Sequence, residues 1–271
     1  MTTSRALLPL LLVLVGFLLP AQGQEFDPFG GNDLGSAPAP ESQAELWSTS
    51  KEVAAGEPFE VVLKLSHPLG WHSYYKNAGT GVPSPPPTIK WTLPGGFIAG
   101  EILWPVPHRS KFAGVKSVGY EGTNYFATTI TPPSDLEVGS TIEIKAEANW
   151  QMCKELCIEE QAAFTLELPV AAEAAIDQAR TVEFENYARK NLPVAPPDSW
   201  ELSAEDDGET ITLFIRGMEG QLPADLPGGI YLYDEDGQVG AQKSHTPTLP
   251  ETGVLAIKAP RNLGTKLSDT P

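Results

Sequence analysis

The sequence predicts an all-β fold, followed by a linker helix and a second, smaller group of strands, and three observations carry that expectation. Short runs of alternating apolar and polar residues recur from residue 45 to residue 170, a period of two that suits half-buried strands. Turn residues punctuate them, as in Leu93-Pro-Gly-Gly96 and Thr131-Pro-Pro-Ser134. The stretch dominated by strong helix formers begins only after Val170.

In chain order, Arg5 precedes an apolar stretch from Ala6 to Leu19 and then small residues ending at Gly23, so residues 1–23 read as a secretory signal peptide. Its apolar length falls short of the ~20 residues that span a bilayer. Residues 24–44 are rich in Gly, Pro and Ser without periodicity and read as a flexible leader. Between residues 45 and 170 the runs Phe59–Leu65, Thr88–Thr92, Phe97–Trp104, Tyr125–Ile130, Thr141–Trp150 and Ala163–Leu168 read as strands of antiparallel sheets. Some eight or nine strands fit there, the number for an immunoglobulin-like β-sandwich, with a barrel as the alternative. Residues 171–192 read as one linker helix with apolar positions at Ile176, Val182 and Tyr187. Residues 193–271 read as a second β-domain with strands near Trp200–Ser203, Thr210–Ile215, Ile230–Tyr233 and Val254–Lys258. Four strands are too few for a closed sandwich, so this part is expected either to lean on a partner or to be incomplete.

The chain has 271 residues, 35 acidic against 18 basic side chains, and a formal net charge of -17. Acids outnumber bases in both halves. Such a surface repels nucleic-acid phosphates and anionic lipid headgroups, which argues against both as partners. Secretion would place the mature chain in an oxidising compartment, where a cysteine pair can become a disulfide.

The two cysteines, Cys153 and Cys157, stand between two alternating strands and therefore occupy a hairpin connection. A passive disulfide is one reading, although a ring this small contributes only about 2 kcal/mol in the loop-entropy model. Labile disulfides of the exchangeable kind are a second. Metal binding is a third: Met152 and the cysteines are soft ligands that copper(I) would accept, and His67, His72, His108 and His245 exist, but at no metal-site spacing. Asp234-Glu-Asp-Gly237 lacks the carboxylates an EF-hand needs at its first and last positions and reads as a hairpin turn. No Gly-x-Ser-x-Gly elbow, phosphate-binding glycine loop, flavin motif or nicotinamide fingerprint is present, so no cofactor is expected.

A longer series of motifs narrows these alternatives. Gly70-Trp-His-Ser-Tyr-Tyr-Lys-Asn77, Trp91-Thr-Leu-Pro-Gly-Gly-Phe97, Leu103-Trp-Pro-Val-Pro-His-Arg109, Phe112-Ala-Gly114, Gly119-Tyr-Glu-Gly122 and Trp150-Gln-Met-Cys-Lys-Glu-Leu-Cys-Ile158 follow one another in order. This series resembles the amino-terminal periplasmic domain of DsbD-type thiol:disulfide interchange proteins, in particular their copper-sensitivity-suppressor branch. The resemblance implies an immunoglobulin-like domain whose pair, Cys153 and Cys157, cycles between dithiol and disulfide. It implies a periplasmic relay that takes electrons from a membrane-embedded donor and passes them to thioredoxin-like oxidoreductases, in the setting of cytochrome c biogenesis or copper tolerance. It also implies that Phe112 caps the cysteines, that Trp71, Tyr74 and Tyr75 lie near them, and that Cys157 attacks first. The sequence departs from the family in carrying neither the electron-delivering membrane segment nor the thioredoxin-like domain, which makes dependence on a donor an expectation.

Overall fold

A computed structural model describes residues 41–79, 84–112, 115–220, 230–240 and 243–262, without the side chains of Phe112 and Val115. The expected signal peptide and most of the expected leader lie outside the described residues. Strand β1 spans Gln43–Ser48, β2 Ser50–Glu52, β3 Phe59–Ser66, β4 His72–Tyr74, β5 Thr88–Thr92 and β6 Ile98–Leu103. β7 spans His108–Phe112, β8 Val115–Glu121, β9 Thr123–Thr131, β10 Thr141–Cys153 and β11 Cys157–Pro169. β1 thus begins inside the stretch read as leader. Its first residues, Gln43 and Ala44, pair with Ser66 and Leu65 of β3.

All of these strands except β2 make the immunoglobulin-like sandwich. One sheet has the order β1-β3-β9-β6, and the facing sheet the order β11-β10-β4-β8-β7, with β5 also paired to β10. Strand β10 shows why the sequence folds this way: Ile142, Ile144, Ala146, Ala148, Trp150 and Met152 point inward and are buried, while Glu143, Lys145, Glu147 and Asn149 point out. From the opposite sheet, Val61, Leu63, Leu65, Phe126 and Ile130 meet them in the main core.

The four-stranded sheet is buried on its other face as well. Trp47, Val62, Tyr125 and Ala127 are covered by Phe184 and Ala188. Both come from a helical segment made of helix α1 (Gln178–Glu183), a π-helical turn Phe184–Ala188 and a 3-10 turn Arg189–Asn191. Asp177 caps it, its carboxylate accepting from the backbone N–H groups of Ala179 and Arg180. Glu183 accepts from Lys64 Nζ at 2.6 Å, Arg180 at 3.0 Å and the Tyr125 hydroxyl at 3.2 Å, which fixes the segment against the sheet.

This corrects the expected helix in two ways. Residues 171–177 are not helical: β12 (Ala175–Ile176) pairs with β2. The expected apolar positions Ile176, Val182 and Tyr187 are exposed, and the inward pair is Phe184 and Ala188. One helical turn separates those two, and the π-helical widening begins at Phe184, so a regular 3.6-residue period placed the buried face wrongly.

The remaining strands, β13 (Glu201–Asp206), β14 (Thr210–Arg216), β15 (Thr246–Glu251) and β16 (Val254–Pro260), form one sheet in the order β13-β14-β16-β15. Ile230–Tyr233, expected as a strand, is irregular chain, and the strand pairing with β16 is Thr246–Glu251 despite its two prolines. An edge position explains the tolerance, since one side of β15 needs no N–H donors. Asp234–Gly237 is likewise no hairpin. Asp234 Oδ2 accepts from the backbone N–H of Gln238 and Val239, and Oδ1 from Asn77 Nδ2 at 2.7 Å. With Lys76–Glu235 at 2.7 Å and the Arg109 guanidinium 4.0 Å over the Tyr231 ring, residues 230–240 lean on the sandwich. No helix among the described residues is long and apolar enough to cross a membrane.

Candidate redox site

β10 and β11 are opposed residue for residue from Thr141↔Pro169 to Cys153↔Cys157. Only Lys154–Leu156 connects them, closed by a hydrogen bond from the Lys154 N–H to the Leu156 carbonyl at 3.0 Å. Register alone therefore brings the cysteines together: they are joined as a disulfide with Cα atoms 4.1 Å apart.

Strand parity sets which way the bond faces. Met152 and Trp150 fill the core, so Cys153 lies on the outer face of the six-stranded sheet with Gln151 and Asn149. Cys153 is nonetheless only 2% exposed, because Tyr74 and Ala78 pack over it. Cys157 is exposed. The two residues of one bond thus differ sharply in exposure.

The row continues across the sheet. Cys153 is opposed by His72 of β4, and His72 by Glu121 of β8. The His72 ring is hydrogen-bonded to the Cys153 main chain and meets Tyr74 edge-on at 5.0 Å. Burial pushes its pKa down to about 4, against the opposing pull of the Glu121 carboxylate. Two positions along β8, Gly119 sits opposite Tyr74, and a Cβ there would fall 2.0 Å from the Ser73 carbonyl oxygen. The close approach of β8 to β4 therefore requires this glycine.

Beneath the hairpin, a polar group braces the inner side. Glu160 accepts from Trp150 Nε1 at 2.6 Å and from the Ser42 N–H at 3.0 Å. The Ser42 hydroxyl donates to Met152 Sδ at 3.2 Å and lies 3.1 Å from His67 Nδ1, whose Nε2 lies 2.9 Å from the Ser73 hydroxyl. Burial pushes the His67 pKa down to about 4, so this imidazole is neutral. Alongside, a cleft of about 500 Å³ opens between Pro85–Pro86 and the hairpin residues Trp150, Gln151, Glu159 and Glu160.

Of the aromatic residues singled out in the sequence, Tyr74 packs on Cys153, and its hydroxyl bonds to Ser84. Trp71 and Tyr75 lie in the main core on the other face, as alternation along the strand dictates. Phe112 ends β7 opposite Val115, six residues along β8 from Glu121, the residue level with the cysteines. Its side chain lies outside the described residues. Its backbone is six residues along the strand from that level, and the hairpin bends towards it, since the Ser110 hydroxyl on β7 donates to the Glu121 carboxylate. His108 on β7 is opposed to Gly119, which is opposed to Tyr74, so it stands in the row next to that of the cysteines; His245 lies elsewhere, its Nδ1 accepting from the Leu232 N–H at 2.9 Å. Among the described residues no three His, Cys, Asp or Glu side chains gather as metal ligands.

Sequence reasoning did not single out Glu121, Leu69 or Leu156, and considered His72 only as a metal ligand. Leu69 is 99% and Leu156 59% exposed, and their two turns adjoin: a Cβ on Gly70 would lie 3.4 Å from Lys154 Cε. Two exposed leucines thus stand in neighbouring turns, Leu156 next to Cys157 in the chain.

The family model described as "Thiol:disulfide interchange protein DsbD, N-terminal" matches residues 43–169. Among solved structures, the N-terminal periplasmic domain of ScsB from Proteus mirabilis is similar at 18% identity and a TM-score of 0.54, covering 84% of this chain and 83% of that one. Spo0M, a sporulation control protein from Bacillus subtilis, matches at 11% identity over 65% of this chain and 79% of its own, with a TM-score of 0.23 too low to bear on the fold. No curated protein matches the sequence. The strand pattern, the order of the motifs and the family model coincide on one stretch, residues 43–169, which is similar to the DsbD amino-terminal domains.

Proposed function

We propose that the chain is a periplasmic thiol:disulfide interchange module that relays two electrons at a time through Cys153 and Cys157. The observation that carries this reading is the unequal exposure of the two cysteines, with Cys157 exposed and Cys153 only 2% exposed. A donor thiolate attacks Cys157 Sγ, a donor–Cys157 disulfide forms, the Cys153–Cys157 bond breaks, and the electron pair leaves on Cys153 Sγ. A second donor thiol then attacks the mixed disulfide, leaving the module as a dithiol and the donor oxidised. In the onward direction Cys157 attacks the acceptor's disulfide and Cys153 resolves the intermediate, which releases the reduced acceptor.

Thioredoxin-like oxidoreductases suit the acceptor role and a membrane-embedded thiol protein the donor role. Leu69 and Leu156 offer either partner a small apolar contact around Cys157, in the class of redox encounters below ~1,200 Å². Phe112 shields the dithiol between encounters if the β7–β8 hairpin curls over it. A secretory signal in residues 1–23 delivers the module to the periplasm. Trapping tests the reading. In a Cys153→Ser variant the surviving Cys157 should hold a covalent adduct with a thioredoxin-like periplasmic oxidoreductase, identified by mass. A Cys157→Ser variant should trap none. Equal trapping by both variants, or by neither, would defeat the assignment.

A further inference from the structure

We infer that His72 is the proton acceptor for the Cys153 thiol, with Glu121 as the positioning residue behind it. The inference rests on the interchange reading above and goes beyond it by naming what ionises the buried sulfur. The observation is the row Cys157–Cys153–His72–Glu121, four residues on four neighbouring strands, β11, β10, β4 and β8, each directly opposed to the next. Directly opposed residues of an antiparallel pair project to the same face, with Cβ atoms about 5 Å apart. The row therefore runs from an exposed cysteine, through a buried cysteine and a buried histidine, to an exposed glutamate.

The chemistry needs such a group at one step. Cys153 can resolve a mixed disulfide only as a thiolate, and a thiol covered by Tyr74 and Ala78 ionises reluctantly because burial disfavours its charge. Among the described residues no helix N-terminus faces it, since β10 and its neighbours are strands. His72 accepts the proton from Cys153 Sγ–H and becomes an imidazolium. Cys153 Sγ attacks Cys157 Sγ, the Cys153–Cys157 bond forms, the bond from Cys157 to the acceptor breaks, and the electron pair leaves on the acceptor thiolate. The imidazolium, now beside a neutral disulfide, returns its proton to the departing thiolate or to water. In the disulfide state burial holds His72 neutral, so the base is restored for the next cycle.

The other charged and titratable groups around His72 are consistent with this assignment. Tyr74 meets it edge-on from its own strand, Glu121 faces it from β8, the Ser110 hydroxyl on β7 donates to Glu121, and His108 of β7 stands one row away, opposed to Gly119. Lys154 lies beside Gly70 near the start of β4, and neutral His67 lies across the sheet, bonded to Ser73. Glu121 is the anion opposed to His72 and stabilises the transient imidazolium.

Single-turnover oxidation of the reduced chain by glutathione disulfide, quenched with acid and read by mass, separates the two steps: appearance of the glutathione adduct on Cys157, then its loss as Cys153 resolves it. His72→Gln should form the adduct at the wild-type rate but resolve it about 100-fold more slowly, within the usual range for loss of a general base. Its resolution rate should climb about tenfold per pH unit between pH 6 and 8, where the wild type is nearly flat. Glu121→Gln, an exposed change, should slow resolution severalfold and bend the profile in the same sense. Wild-type resolution and a flat profile in His72→Gln would overturn the inference. Should that variant fail to fold, Glu121→Gln decides alone, and a wild-type profile there would overturn it equally. If the reduced wild type formed no adduct at all, the interchange reading itself would fall, and this inference with it.

Discussion

Reduction of the Cys153–Cys157 disulfide should leave the domain folded, and the size of the effect follows from the hairpin. The ring closed by the bond runs only from residue 153 to residue 157, for which the chain-entropy model gives about 2 kcal/mol of stabilisation. The other twelve register pairs, from Thr141↔Pro169 to Met152↔Ile158, hold the two strands together without it. The bond therefore acts mainly on the unfolded chain, and its loss should lower Tm by about 4–8 °C for a protein of this size. Native protein would be treated with a mild dithiol at neutral pH, alkylated without denaturant and weighed, with thermal and urea melts run on both redox forms. Two labels per chain are expected, with exposed Cys157 modified before buried Cys153. Labelling that requires denaturant, or a stability loss above about 5 kcal/mol, would show that the bond is a structural staple and refute the reasoning.

Three further outcomes are expected. His67 and His72 are each pushed from 6.5 to about 4 by burial, so below pH 6.5 the unfolded chain takes up protons that the folded chain refuses. Their contribution is intact above pH 6.5 and lost progressively down to pH 4, by about 3 kcal/mol each, and urea melts of His67→Gln should be flatter over that range than those of the wild type. A variant that loses stability in parallel with the wild type would contradict this. Gly119→Ala forces a Cβ to within 2.0 Å of the Ser73 carbonyl and should cost about 3 kcal/mol or more while exposing Cys153 to alkylators. A melting temperature matching the wild type would show that β8 can withdraw freely. Phe112→Ala should raise the alkylation rate of the reduced pair with little change in Tm. A loss of ~3–5 kcal/mol with unchanged thiol reactivity would make Phe112 a packing residue instead.

The alternation along the sequence was enough to place β3, β5, β6, β9, β10 and β11, but it gave no run for β1, β4, β7 or β8. It was also enough to put Cys153 and Cys157 at the two ends of one hairpin loop, because a hairpin partner is close in sequence. The motif order identified the same stretch that the family model covers. Local pattern could not fix the helix face, where Phe184 and Ala188 are chosen by the apolar patch around Trp47 and Val62. It also missed β15, where a free sheet edge accommodates Pro247 and Pro250. The row from Cys157 to Glu121 was beyond it for the same reason. Period-two patterning states which face a residue occupies, but not which distant strand lies beside it. Glu121 reaches the level of His72, and His72 that of Cys153, only through the order in which β8, β4 and β10 assemble, and that order is a property of the folded sheet.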